Sequence, residues 1–272
     1  MKIIEKKLQS KTNNPEKCED NIVIDDNFVG VIDGATSKTD YKIDGKTPGR
    51  FASQKIEEAI SRLKPEATLE ETFEFINGYL QKCYKDRNIK DFLINNPRAR
   101  PTASLALYSV LQGKIWLIGD CKGLINDEVH TNNKEIDEIL SQVRSLFLEL
   151  ENLKGISKTK LLKKKKGREY IFPLLKQQFL IRNNTSSQYS YGVLDGFECF
   201  TEDVKCLDVE GEEIILASDG YPKLFNTLEQ SEKYLKELIE NDPLLFEEYK
   251  STKGVYQGYN SFDDRAYIRI QI

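Results

Sequence analysis

The chain has a single histidine, His130, in 272 residues. Ser-His-Asp and Cys-His catalysis need an imidazole beside the nucleophile, so one histidine leaves little room for that chemistry. The cysteines Cys18, Cys83, Cys121, Cys199 and Cys206 are odd in number and scattered, with no C-x-x-C pair. That excludes the usual thiolate zinc spacing and a disulfide frame, and it reads as the reduced thiols of a cytoplasmic protein. No apolar run approaches the roughly eighteen residues of a membrane span. The stretch Met1 to Leu8 has neither a long apolar core nor a small-residue cleavage site, so no signal peptide is expected. Charge of one sign is also missing. With 40 Lys and Arg against 44 Asp and Glu the net charge is -4, which excludes an overall basic nucleic-acid binder and a highly acidic disordered chain. No internal repeat, low-complexity linker or domain boundary is visible, so residues 1–272 read as one domain.

What the chain does have is a set of apolar strands that end on aspartate. Phe28 to Ile32 runs into Asp33-Gly34, Glu213 to Ser218 runs into Asp219-Gly220, and Lys114 to Gly119 runs into Asp120. A buried strand delivers a carboxylate to its end, and a glycine there lets backbone come close to whatever the carboxylate holds. Strands of this kind predict an acidic cluster at one rim of a sheet. A single Asp-Gly after a strand is more often a turn, as Asp44-Gly45 and Asp195-Gly196 illustrate; the conjunction carries the weight.

Around these strands the pattern mixes antiparallel strands with amphipathic helices. Residues 1–10 predict an edge strand, and Asn21 to Ile24 with Phe28 to Asp33 predict a hairpin that brings Glu19 near Asp33. Apolar residues at Ala52, Ile56, Ala59, Ile60 and Leu63 have helical spacing, and Pro65 ends that helix. Thr68 and Glu71 fit a capping box for a second helix. Thr102 to Ile125 predicts an antiparallel meander, and Ile136 to Leu150 another helix. Val204 to Val209 and Glu213 to Ser218 read as a hairpin turning at Glu210-Gly211. Helical patterns cover Leu228 to Leu238 and Leu244 to Tyr249, and a strand closes the chain after Asp263-Asp264. The basic stretch Lys154 to Arg168, with Lys163 to Lys166 near its end, reads as a solvated face, with a contact for an anionic partner as the sharper alternative. Many antiparallel strands plus paired helices predict the α+β class with sheet and helix layers.

The candidate ligands are Glu19, Asp33, Asp120, Asp219, Asp263 and Asp264. Gathered carboxylates repel one another and raise their own pKa values unless a cation neutralises them. An all-oxygen donor set suits Mg²⁺ or Mn²⁺. Two such ions sharing a carboxylate can activate water and clamp a phosphoryl group. Asp33 is the natural bridge, with the Gly34 carbonyl as a backbone ligand.

The ordered set of motifs resembles the metal-dependent protein phosphatases of the 2C type, over nearly the whole chain. Glu19-Asp20 is similar to that family's early acidic pair, and Val31-Ile32-Asp33-Gly34 to its metal-binding Asp-Gly. Thr102-Ala103-Ser104 followed by Ile118-Gly119-Asp120 resembles its core hairpin. Leu216-Ala217-Ser218-Asp219-Gly220 and Asp263-Asp264 are similar to its last two acidic motifs. The resemblance implies two packed antiparallel β-sheets flanked by helices, a four-layer sandwich. It implies two Mg²⁺ or Mn²⁺ ions and hydrolysis of phosphoserine or phosphothreonine. Asp33, Asp219 and Asp263 would hold one ion and carry catalysis. Glu19, Asp33 and the Gly34 carbonyl would approach the other, and Asp120 would serve a weaker third site.

Departures from the pattern are specific. An arginine commonly precedes the acidic pair; here Pro15 stands in that position, and Lys11 and Lys17 are the nearest cations. Lysine lacks the bidentate fork that grips phosphate. Ala35 replaces a histidine seen in some members, and Lys223 replaces an acidic residue, where its ammonium can neutralise Asp120. The expected activity is a metal-dependent phosphomonoesterase acting on a phosphorylated protein or a small phosphate ester. The alternative is a phosphatase-like binding module of weak or absent turnover. A metal nuclease using the Lys163 to Lys166 run is a weaker third reading; no nucleic-acid or membrane partner is expected.

Overall fold

Along Lys2–Gln9 (β1) every second side chain turns away from solvent, the period of a strand with one covered face. In the computed structural model, which describes residues 1–197 and 201–272, β1 pairs antiparallel with Arg265–Gln271 (β10). Next to β10 lies Glu213–Ala217 (β9), then Lys122–Ile125 (β6) and Glu128–Thr131 (β7), giving a five-stranded sheet ordered β1-β10-β9-β6-β7. Asn21–Ile24 (β2), Phe28–Gly34 (β3), Ala103–Ser109 (β4), Lys114–Ile118 (β5) and Lys205–Asp208 (β8) form a second, ordered β2-β3-β4-β5-β8. All the pairings within both sheets are antiparallel.

The sheets pack face to face. Val29, Val31, Ile115 and Leu117 of the second meet Ile214, Leu216, Ile268 and Ile270 of the first. The far face of the second sheet carries Phe28, Ile32, Leu105 and Trp116. These pack under Pro48–Ile60 (α1) and Leu69–Asp86 (α2) through Phe51, Ile56, Phe73 and Leu80. Strands β3 to β5 are thus covered on both faces, which is why they read as continuous apolar runs. Each fully buried Ile, Leu or Phe there contributes roughly 1.5–3 kcal/mol relative to exposure. The outer face of the first sheet packs Ile215 and Tyr267 against Tyr221, Leu224 and Leu228, at the start of Leu228–Asn241 (α7). The architecture is the expected α+β sandwich. The capping box at α2 also forms, with the Glu71 N–H donating to Thr68 Oγ1 at 3.3 Å and the Thr68 N–H to Glu71 Oε2 at 2.9 Å.

A short helix, Lys90–Asn95 (α3), precedes β4. Glu135–Leu153 (α4), Lys158–Lys163 (α5) and Lys166–Leu175 (α6) form a separate helical group joined through Leu140, Ile171 and Leu175 and through Leu148 and Leu161. The buried Arg144 guanidinium on α4 donates to the carbonyls of Leu244, Leu245 and Ser251 at 2.7, 3.1 and 2.8 Å. It fixes the loop that follows α7. Among the described residues, no helix is long and apolar enough to cross a membrane.

Several local expectations differ from what is observed. Strands β8 and β9 do not pair with each other: β8 adds to β5 and β9 to β10, so Glu210-Gly211 carries the chain between sheets. The meander likewise splits, because β6 leaves β5 and joins β9. A turn signal says where a chain reverses, not which sheet takes the next strand. Leu244 to Tyr249 is a series of turns rather than a helix. There the Asp242 carboxylate accepts the N–H groups of Phe246 and Glu247, both at 2.8 Å, and Leu245 adopts φ 52°. A side-chain acceptor has displaced the helical carbonyls. Of the cysteines, Cys199 lies outside the described residues, and Cys18, Cys83, Cys121 and Cys206 are free thiols.

Candidate metal and phosphate site

Antiparallel register sets the first part of the site. Asp33, at the end of β3, lies opposite Ser104 on β4. Ser104 Oγ donates to Asp120 Oδ1 at 2.6 Å. Gly119 makes that approach possible: its φ is +70°, and a Cβ there would strike Ser104. Asp219 arrives from the other sheet, just past β9. One carboxylate oxygen from each of Asp33, Asp120 and Asp219 lies within 4.8 Å of the others.

Charge in this cluster is unevenly matched. Burial opposes ionisation of Asp120, but the Lys134 ammonium, 2.8 Å from its Oδ2, and the Ser104 hydroxyl outweigh that and hold the carboxyl at about 2. Among the described residues no ammonium pairs with Asp33 within 4.0 Å, and the more distant Lys134 only partly offsets what raises it. Burial first, then Asp219, Asp20 and Asp120, push its pKa well above the ordinary carboxylate range. Asp219 is raised by burial and by Asp120. Asp20 is pushed up to about 8 by burial and then by Asp264, and its buried Oδ2 has no hydrogen-bond partner.

The remaining predicted ligands lie around an ammonium. Lys11 Nζ is 2.9 Å from Asp263 Oδ1, 3.3 Å from Asp264 Oδ2 and 3.7 Å from Glu19 Oε2. Lys253 forms an ion pair with the other oxygen of Asp263. Glu19 Oε1 accepts from Thr47, the N-cap of α1, at 2.7 Å. Asp264 accepts the N–H groups of Lys11 and Glu19 at 2.8 and 3.0 Å, tying the end of β1 to the lead into β2. Gly34 is required by its own chain: a Cβ would collide with the carbonyls of Glu19 and Gly49. The glycine expected to admit a ligand thus admits backbone.

Two sequence-based assignments change. Lys223 lies over the rings of Phe225 and Tyr234, at 4.9 and 5.8 Å, and the cation that neutralises Asp120 is Lys134. Lys134 had no motif to flag it, because it sits in a polar loop ahead of α4. The basic segment keeps Lys163, Lys164 and Lys165 exposed, as a solvated face should, but its last residue, Arg168, lines a cavity of about 130 Å³ above the cluster, together with Lys176 beyond the segment. Lys38, Arg98 and Arg182 also line it. The excess of Lys and Arg in Lys154 to Arg168 is a sequence signal for Arg168 alone among them. His130 stands on β7, with Nδ1 3.8 Å from Glu128, and takes no part in the cluster.

A carboxylate floor beneath cationic walls is thus on view. The chain is similar to solved bacterial serine/threonine phosphatases. With the Mycobacterium tuberculosis serine/threonine phosphatase PstP/Ppp it shares 12% identity over 99% of each chain, at a TM-score of 0.48. With Stp1 from Staphylococcus aureus it shares 14% identity over 100% of this chain and 96% of that one, at 0.45. With RsbX, solved in complex with magnesium, it shares 13% identity over 98% and 97% of the two chains, at 0.41. No protein-family model and no curated protein matches the sequence.

Proposed function

We propose that the chain is a metal-dependent phosphomonoester hydrolase of the serine/threonine protein phosphatase kind. The observation that carries the reading is the convergence of Asp33, Asp120 and Asp219 beneath a cation-lined cavity. An all-oxygen donor set, an orphaned buried oxygen on Asp20 and carboxyl groups raised by mutual repulsion all fit a hard divalent cation. Asp33, Asp120 and Asp219 would hold it, and a bound Mg²⁺ or Mn²⁺ supplies Lewis acidity to a phosphoryl group and to water. The chain's own part is to fix these carboxylates through strand register and to bring Lys134, Lys253 and Arg168 to the same cavity, where they counter phosphate charge. With Ala35 after Asp33-Gly34, no imidazole is placed there to protonate a leaving group. A second ion, as the resemblance implies, would be approached by Glu19, Asp33 and the Gly34 carbonyl, with Asp263 joining Asp33 and Asp219 on the first; this requires Lys11 to leave Glu19, and Lys11 and Lys253 to leave Asp263. A cytoplasmic setting belongs to the same reading, supported by the buried free thiols of Cys18, Cys83 and Cys121.

The test is hydrolysis of p-nitrophenyl phosphate and of phosphopeptides with rising Mn²⁺. Asp33→Asn and Asp219→Asn are each expected to lower turnover by roughly 10²-fold or more. Full activity in both variants, or in chelator, would refute the proposal. The ammonium groups on Asp263 favour a second reading, a binding module without turnover. Calorimetric titration with Mn²⁺ separates the two: the module reading gains if no ion binds and no phosphate is released.

A further inference from the structure

The cavity is divided by charge. Cations next to its acidic floor are matched: Lys134 faces Asp120 and Lys253 faces Asp263. Arg182 and Arg100 approach the buried Asp195 at 3.3 and 3.8 Å, and Arg168 donates to the carbonyl and hydroxyl of Thr252 at 2.9 and 3.0 Å. Lys38, Arg98 and Lys176 differ. Lys38 Nζ donates to the Thr36 carbonyl at 2.7 Å. Arg98 lies over the Phe179 ring at 5.2 Å and Lys176 over the Phe172 ring at 4.7 Å. No ion pair within 4.0 Å involves any of them among the described residues. Asp137 shares this wall, and its Oδ1 accepts from Gln178 at 2.7 Å.

These cations come from three separate places: the loop after β3, the turn before β4 and the end of α6. Gathering like charges in one half-enclosed space is unfavourable unless something negative fills it. The Lys38 amine registers the cost. It is pushed down to about 7 by burial and then by Arg168 and Lys253.

We infer that Lys38, Arg98 and Lys176 form a second anion subsite, and that the substrate is a compact molecule carrying another phosphate group beside the ester that is cleaved. The inference rests on the proposal that the scissile phosphate lies on the carboxylate floor. A guanidinium fork and two ammonium groups suit phosphate oxygens. Compactness follows from the placement: the three cations line the same half-enclosed cavity as Asp33, Asp120 and Asp219, bounded by Leu175, Phe179 and Val193, so both phosphates must lie within one space. The net charge of -4 on the whole chain argues against a long polyanion as the ligand.

The experiment is calorimetric titration of the full chain, with Mn²⁺ present, by fructose 1,6-bisphosphate and by fructose 6-phosphate. Phosphate release is measured separately. The bisphosphate is expected to bind about tenfold or more tightly than the monophosphate. That ratio is expected to collapse toward one in Lys38→Met and in Arg98→Gln, with thermal melting used to confirm that each variant is folded. Lys176→Gln, at the exposed end of α6, provides a third variant. Equal affinity for the two sugars in the wild type overturns the subsite, as does a ratio unmoved in all three folded variants. A doubly phosphorylated peptide binding more tightly than the sugar bisphosphate overturns the small-molecule assignment. Preferential bisphosphate binding with no phosphate released from the sugar, from p-nitrophenyl phosphate or from phosphopeptides leaves the subsite standing and removes the hydrolase proposal instead.

Discussion

At the scale of single residues, the site is a contest between carboxylates and lysines. Asp120 has an ammonium partner and stays ionised, whereas Asp20, Asp33 and Asp219 are raised above the ordinary value of 3.8. The sign of the linkage follows. A carboxyl with a raised folded pKa binds its proton more tightly when folded, so its stabilising effect is present at low pH and is lost as pH rises from about 4 toward about 8, where Asp20 ionises. Asp120 acts oppositely, and its contribution is lost only as pH falls toward about 2. In chelator, the melting temperature should therefore fall between pH 5 and pH 8. Added Mn²⁺ should raise it more at pH 8 than at pH 5; a rise in stability with pH in chelator would contradict this account. Lys253 offers a second residue-level prediction. Replacing it with Met frees one oxygen of Asp263 and removes a positive charge, so Mn²⁺ affinity should increase roughly tenfold by calorimetry. Unchanged affinity would show that Asp263 does not reach the ion.

At the scale of elements, what the sequence disclosed and what it concealed separate cleanly. Periodicity located α1, α2, α4 and α7, and strand-then-aspartate patterns located β3, β5 and β9 with the carboxylates at their ends. These are local signals, set by side-chain spacing along one segment. Partner choice is not local: β8 and β9 read as a hairpin yet join different sheets. The cations were hidden for a similar reason. Lys134 and Arg168 lie in polar or basic stretches whose composition is that of solvated surface, and only tertiary packing turns them inward. Lys11 reads from the sequence as a nearby cation; that Glu19, Asp263 and Asp264 surround it is set by the pairing of distant segments. Gly119 tests the element-level geometry. Ala at that position meets an unfavourable φ and the Ser104 side chain together, and should lower stability by about 2 kcal/mol. Because Asp120 would be displaced, Mn²⁺ binding should weaken as well, and denaturant titration with calorimetry on the same variant reads both.

At the scale of the whole molecule, the cluster draws on both halves of the sandwich. Asp33 ends a strand of one sheet and Asp219 follows a strand of the other, while Asp120 occupies the link by which β5 of one hands over to β6 of the other. A cation held by all of them would act as a rivet through stacked plates. Separating the sheets would then mean tearing it out, so its grip should be felt far from the rim. Amide hydrogens in the middle of β4 and of β10 should exchange more slowly, and together, when Mn²⁺ is added. Slowing confined to residues 33–37 and 119–121 would mean that the ion clips one corner and leaves the two plates free to part.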